Sequence, residues 1–219
     1  MALTRFSPVM TDTIGAPSPD AEVVALADGG RILVRRLLRA DREELAQRYL
    51  QLSPVARRLR FINPPGHLSD RLLDSLLDVD GPDRCALVAV AVDAEDSPGV
   101  GLARYVRSRE DPALAEAAVT VVEAYQQRGI ATALLQRLAG EARRNGISTF
   151  TATVMWENGR LLDRLRAFGA EVSPSEPGVA SVRIALPDAD VAAPECQLRR
   201  ALRVFAARVD EMIVLRFDR

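Results

Sequence analysis

The chain has 219 residues, 48% of them hydrophobic and 27% charged, with a formal net charge of −1 at pH 7. That length suits one large domain or a domain with extensions, in which folding buries about 70% of the unfolded surface. The even charge excludes a general nucleic-acid binder, and no apolar run approaches the ~20 residues of a membrane helix.

Residues 1–20 carry Ser, Thr, Pro and Gly without periodicity and read as a disordered arm. Their acids and prolines, without an apolar core, exclude a secretory signal, so a cytoplasmic protein is expected. Glu22–Leu26, the turn Asp28-Gly29-Gly30 and Arg31–Arg35 predict a hairpin. Asp41, with Glu44 three residues on, predicts the N-cap and capping box of a helix running to about Leu52. Ser53-Pro54 opens a further helical turn, and Ser69–Leu77 is a helix with Leu72, Leu73, Leu76 and Leu77 on one face. Cys85–Val92 and Val100–Val106 read as antiparallel strands joined through Asp96-Ser97-Pro98-Gly99, with Ala117–Val122 as a third.

The helix from Gly129 to about Arg144 carries Ala131, Leu134, Leu135, Leu138 and Ala142 in one stripe and closes at Asn145-Gly146. Thr149–Met155 alternates like a half-buried strand. Asn158 starts a short helix that ends at Gly169, with Leu161, Leu165 and Phe168 inward, and Ser181–Leu186 is the last strand. In the extension 188–219, Gln197–Val209 is helix-periodic and Met212–Phe217 reads as a strand. This tail helix is expected to pack on the sheet, with a homodimer contact as the alternative. The order of elements argues for one α+β domain over 21–187, its mixed, mostly antiparallel sheet flanked by helices.

Cys85 and Cys196 are the only cysteines and His67 the only histidine. That leaves no disulfide framework and no structural zinc motif, so no metal is expected. A nucleophilic triad would depend on His67, which reads as an exposed loop residue. All 29 basic residues are arginine, so no lysine side chain of this chain can itself be acylated.

The most informative stretch is Ala115–Val122 followed by Gln126-Gln127-Arg128-Gly129-Ile130-Ala131. It reads as strand, tight loop and helix N-terminus, where unpaired backbone N–H groups and the helix dipole suit a phosphate. Gly129 and Ala131 let a ligand approach the backbone closely. Glu116, ten residues before the loop, stands where it reaches chemistry at the far end of a long phosphorylated molecule. The combination points to acyl transfer from coenzyme A.

At these residues the sequence resembles the GNAT superfamily of N-acetyltransferases. Gln126–Ala131 fits that family's Q/R-x-x-G-x-G/A pyrophosphate loop, and Asn158 fits an asparagine that meets the pantetheine arm. Gly169-Ala170 fits a Gly-Phe helix ending, with Ala in place of Phe. Asp28-Gly29, Leu38–Arg42, Leu52-Ser53-Pro54, Arg60-Phe61 and Ala115–Val119 resemble the bacterial protein-lysine acetyltransferases. Together the likeness covers about 22–187. It implies the GNAT fold, acetyl-CoA as cosubstrate, and an amine acceptor, with a protein lysine first and a small-molecule amine second.

The resemblance also implies roles for particular residues. The backbone of Val119, Thr120 and Val121 would pair with the pantetheine amides like an added strand. N–H groups of Arg128, Gly129, Ile130, Ala131 and Thr132 would hold the pyrophosphate, within a loop begun by Gln126 and Gln127. Arg128 adds a charge-assisted contact, set against a plain solvent-facing arginine; Asn158 caps its own helix with or without touching ligand. Glu116 matches the family's general base, whereas Glu123 lies near the pyrophosphate loop and away from the thioester. A tyrosine that protonates the leaving thiolate stands in the family four residues before the glycine; here that position is Leu165, which donates no proton. Leu165 fits a third reading, a non-catalytic acyl-CoA-binding or sensing protein. Trp156 is expected to pack rather than to line the acceptor channel. Arg35-Arg36 and Arg57-Arg58-Arg60 are expected to be solvated helix faces rather than a surface that steers an acidic partner.

Overall fold

Asp28 Oδ1 accepts the Gly30 N–H at 3.0 Å, and the backbones of Leu26, Gly29 and Gly30 bond to one another, the side-chain chemistry of a tight turn. In the computed structural model, which describes residues 20–54, 57, 65–79, 81–167 and 169–186, this turn joins β1 (Glu22–Ala25) to β2 (Arg31–Arg36) as an antiparallel hairpin. The expected arm up to residue 19, most of the turn after Pro54, and the tail 188–219 with its helix, strand and dimer contact lie outside the described residues.

Helix α1 (Arg42–Gln51) begins one residue after Asp41, yet Asp41 gives it no side-chain cap. Its carboxylate takes the Leu38 N–H at 2.8 Å and both terminal nitrogens of Arg35 at 2.7 and 2.8 Å. A bidentate guanidinium outcompetes a helix N–H for a carboxylate. Glu44, expected in a capping box, instead accepts the Gly99 N–H at 2.7 Å and ties α1 to the sheet. The expectation of a solvated helix face at Arg35-Arg36 is corrected as well. Both lie on strand β2; Arg35 is 2% exposed and Arg36 is half-buried and pairs with Glu141 at 2.9 Å. Arg57 folds back over the end of α1, donating to the Leu52 carbonyl at 3.0 Å.

Ser69 accepts the Leu72 N–H at 3.3 Å and starts α2 (Asp70–Leu77), which buries Leu73, Leu76 and Leu77. Strands β3 (Arg84–Ala91), β4 (Gly99–Arg107) and β5 (Leu114–Val121) extend the antiparallel sheet. From Cys85 onward β3 is apolar and buried, because both of its faces are covered. Then come α3 (Ile130–Arg144), β6 (Thr149–Met155), α4 (Gly159–Ala167), β7 (Glu171–Glu176) and β8 (Val179–Ala185). The eight strands run in the order β1-β2-β3-β4-β5-β6-β8-β7. Among the described residues β5 and β6 are the one parallel pair, because α3 carries the chain across the sheet between them.

α3 packs against β3, β4 and β5 through the expected stripe, with Leu134 and Leu138 fully buried; each such leucine contributes roughly 1.5–3 kcal/mol. On the opposite face Leu37, Leu77, Ala86, Val88 and Val90 form a smaller core. β7, which sequence reading missed, is an exposed edge strand paired with β8.

Beyond its C-cap Asn145, α3 is closed by Gly146, whose φ is +79°. The Gly146 N–H donates to the Arg143 carbonyl at 2.8 Å and the Ile147 N–H to the Ala142 carbonyl at 2.9 Å, the paired bonds of a glycine C-cap. A Cβ there meets nothing within 4 Å, so Gly146→Ala carries only the left-handed backbone penalty of about 1 kcal/mol. The expected result is a melting temperature lower by roughly 2–4 °C, measured by thermal unfolding, with activity unchanged.

Candidate active site

β5 alternates between two environments. Ala115, Ala117, Val119 and Val121 point toward α3 into the core, so Glu116, Ala118 and Thr120 point to the other face. The parallel ladder with β6 comprises Leu114↔Thr149, Ala115↔Phe150 and Glu116↔Thr151, and it stops there. β6 continues to Met155 bonded to β8, while β5 continues to Val121 bonded to β4. The two strands therefore part immediately after Glu116, and a slot opens between their facing edges. The backbone of Val119, Thr120 and Val121 forms one wall of it.

At the far end of that wall lies the loop. Gln126 Nε2 donates to the Val121 carbonyl at 3.1 Å and folds the loop back onto the strand. Gln127 has φ +60° and Gly129 φ +91°, and Gly129 is the N-cap of α3. The first bond inside α3 runs from the Ala133 N–H to the Gly129 carbonyl at 3.1 Å, so the N–H groups of Ile130 and Ala131 precede it at the positive end of the helix. An extended molecule with a phosphate at one end and a reactive group at the other fits this slot. The loop would take the phosphate, and Glu116 would flank the reactive end.

Arg128, expected to contact pyrophosphate, is held by Asp28 through a charge-assisted hydrogen bond and lies 5.3 Å from the centre of the Tyr125 ring. The guanidinium in turn holds the Asp28 carboxyl below the usual carboxylate range. The bridge is therefore intact above that range and is lost only as pH falls through the lowered value. Asn158 is 1% exposed and its Oδ1 accepts the Leu161 N–H at 3.3 Å, capping α4. Leu165, at the tyrosine position, is 4% exposed and belongs to the core. Trp156 departs from the packing expected of it. It is 37% exposed, and the Arg166 guanidinium stands 5.8 Å from its ring centre.

Glu116 opens onto a cleft of about 830 Å³ beneath α2, lined also by Arg71, Arg84, Arg104, Arg107, Arg109, Glu110, Thr151 and Thr153. Sequence reading passed over Arg104, at the centre of β4. It pairs across the ladder with Ala118, diagonal to Glu116 on the same face. Arg104 is 4% exposed, and burial pushes its guanidinium down to about 10, with Arg84 lowering it further and Glu116 acting in the other direction. The one available sequence signal was a single arginine inside the otherwise uncharged run Val100–Val106.

Cys85 is buried and its thiol is pushed up to about 11 by desolvation, which makes it a poor nucleophile at neutral pH. His67 is exposed. Among the described residues no group of three or more His, Cys, Asp or Glu could hold a metal, and no helix is long and apolar enough to cross a membrane.

The sequence profile of the acetyltransferase (GNAT) family matches residues 56–169. The chain is 33% identical to an acetyltransferase of Pseudomonas aeruginosa over 159 residues, 73% of this chain and 85% of that protein. It is 29% identical to acetyltransferase Pat of Mycolicibacterium smegmatis over 185 residues, 82% of this chain, but spans only about half (53%) of that relative. Among solved structures, the GNAT domain of S. lividans PAT superposes with a TM-score of 0.67 at 30% identity, covering 76% of this chain and 97% of that domain.

Proposed function

Because the chain belongs to the acetyltransferase (GNAT) family, we propose that it moves an acetyl group from acetyl-CoA to an amine, a protein lysine first among the acceptors, with Glu116 as general base. The observation that carries this reading is the end of the β5–β6 ladder at Glu116↔Thr151. A carboxylate stands where the slot begins, and the phosphate-fitting loop stands at its other end. The similarity to acetyltransferase Pat and to the PAT domain supports lysine as the acceptor.

Pantetheine amides would bond along the open edge of Val119–Val121 as an added strand, which lays the thioester beside Glu116. The glycine-opened N-terminus of α3 would hold the pyrophosphate. An amine attacks a thioester only as the free base, and a lysine amine in water has a pKa of about 10.4. Glu116, directly or through a water, removes the ammonium proton as attack proceeds. The leaving thiolate takes its proton from solvent, since Leu165 has none to give.

The test is acetyl-CoA turnover read as free thiol, with and without lysine-bearing protein and small amines. Acceptor-dependent release supports the proposal. Tight binding of acetyl-CoA without turnover on any acceptor would replace it with a binding or sensing role.

The Asp28–Arg128 bridge makes a second prediction. Asp28→Asn releases Arg128 toward the pyrophosphate, and the KM for acetyl-CoA is expected to fall by about two- to fivefold, the scale of one exposed ion pair. The gain shrinks with added salt in steady-state titrations. An unchanged KM would return Arg128 to the role of a loop arginine.

A further inference from the structure

Arg104 is a buried charged side chain whose guanidinium is only partly satisfied. Its Nε and Nη1 are buried and donate to no acceptor among the described residues, and the residue lines the same cleft as Glu116. Two other arginines of that cleft are satisfied, Arg84 by Asp78 and Arg107 by Asp83. At the rim, Arg71 and Arg109 are exposed and no described carboxylate pairs with either. A buried guanidinium with two orphaned donors is destabilising until something arrives to satisfy it. A charged guanidinium N–H is a strong donor to a carboxylate oxygen.

We propose that Arg104 is an acceptor-recognition residue: it binds a carboxylate of the acceptor while Glu116 receives the proton of that acceptor's amine. This rests on the amine-transfer reading and narrows the substrate class to amines that carry a carboxylate. Arg104 lies diagonal to Glu116 on the ladder, a separation of about 7–8 Å between backbone positions, so one acceptor can engage both. The exposed Arg71 and Arg109 draw the acid toward the cleft. The carboxylate is either the acceptor's own, in a small amino acid, or an acidic side chain flanking a lysine in a protein.

The test compares acceptor pairs that differ only in that carboxylate. Nα-acetyl-lysine is set against N-acetylcadaverine, and a lysine peptide with flanking glutamates against the same peptide with glutamines. The wild type is expected to prefer the carboxylated member of at least one pair by about tenfold to a hundredfold in kcat/KM, the range of a hydrogen bond between charged groups. Preference in the first pair alone identifies a small acid, and preference in the second a protein segment. Arg104→Met should erase the preference by raising KM for the carboxylated member far more than for its decarboxylated analogue, with the KM for acetyl-CoA unchanged. Equal rates within both wild-type pairs would overturn the subsite, as would a loss in Arg104→Met that is the same for every acceptor, since that pattern belongs to a residue acting through Glu116. Calorimetric binding of the Nε-acetylated products of each pair requires no turnover. If no acceptor is acetylated, a carboxylate preference in binding still supports the subsite while the catalytic reading fails, and no preference overturns it.

Discussion

Glu116→Gln is expected to lower kcat for amine acetylation by about 10²- to 10⁴-fold, the usual contribution of a positioned base, with the KM for acetyl-CoA unchanged. The side chain keeps its size and one acceptor oxygen but loses the ability to take a proton. The loop 126–131 that would hold the pyrophosphate lies at the other end of β5, so cofactor affinity should not move. The residual rate provides a second signature. Without a base the variant works only on amine that is already deprotonated, so its rate climbs tenfold per pH unit toward the acceptor's pKa of about 10.4. The wild type levels off earlier. Initial rates across pH 6–10, read as thiol release, check both points, and a variant with wild-type kcat and profile would remove Glu116 from the reaction.

Much of the frame that holds Glu116 was legible because local signals and tertiary demands agreed. Gly129 opening α3, the stripe through Leu134 and Leu138, and Asn145-Gly146 closing it are each dictated by helix geometry, and the helix runs from Ile130 to Arg144. β7 was not legible. Glu171–Glu176 contains Pro174 and, as an exposed edge, buries almost nothing, so it shows no apolar alternation to read. Asp41 and Glu44 carried the spacing of a capping box, but both carboxylates found partners distant in sequence or charged, in Arg35 and Gly99. Capping signals are local, and they lose when the fold brings a stronger donor alongside.

The same division runs through the site. The loop and Glu116 stand out in the sequence because each has a residue pattern. The slot between β5 and β6 has none, since it is produced by where a parallel ladder ends, a matter of crossover geometry rather than residue type. Arg104 was hidden for a related reason. In sequence it interrupts an apolar strand, and only the fold reveals that two of its donors are enclosed and that the residue lines the cleft that holds Glu116.

Gly129→Ala separates the two jobs of the loop glycine. At φ +91° the position strains any L side chain, yet a Cβ built there meets nothing within 4 Å. In the absence of ligand the substitution should therefore cost only the left-handed penalty, about 1 kcal/mol, visible as a small drop in melting temperature. Affinity for acetyl-CoA should suffer far more. A phosphate drawn to the N–H groups at the start of α3 must come against this backbone, and the added methyl occupies that space or turns the Gly129 N–H away. Losing one or two charge-assisted hydrogen bonds, each about 1.5–3 kcal/mol, raises Kd by at least about tenfold. Calorimetric titration with acetyl-CoA and with dephospho-CoA reads the loss, which should be equal for both because they share the pyrophosphate. A Kd that moves no further than the stability change would leave Gly129 as a helix cap alone, and the anion would have to be held elsewhere in the slot.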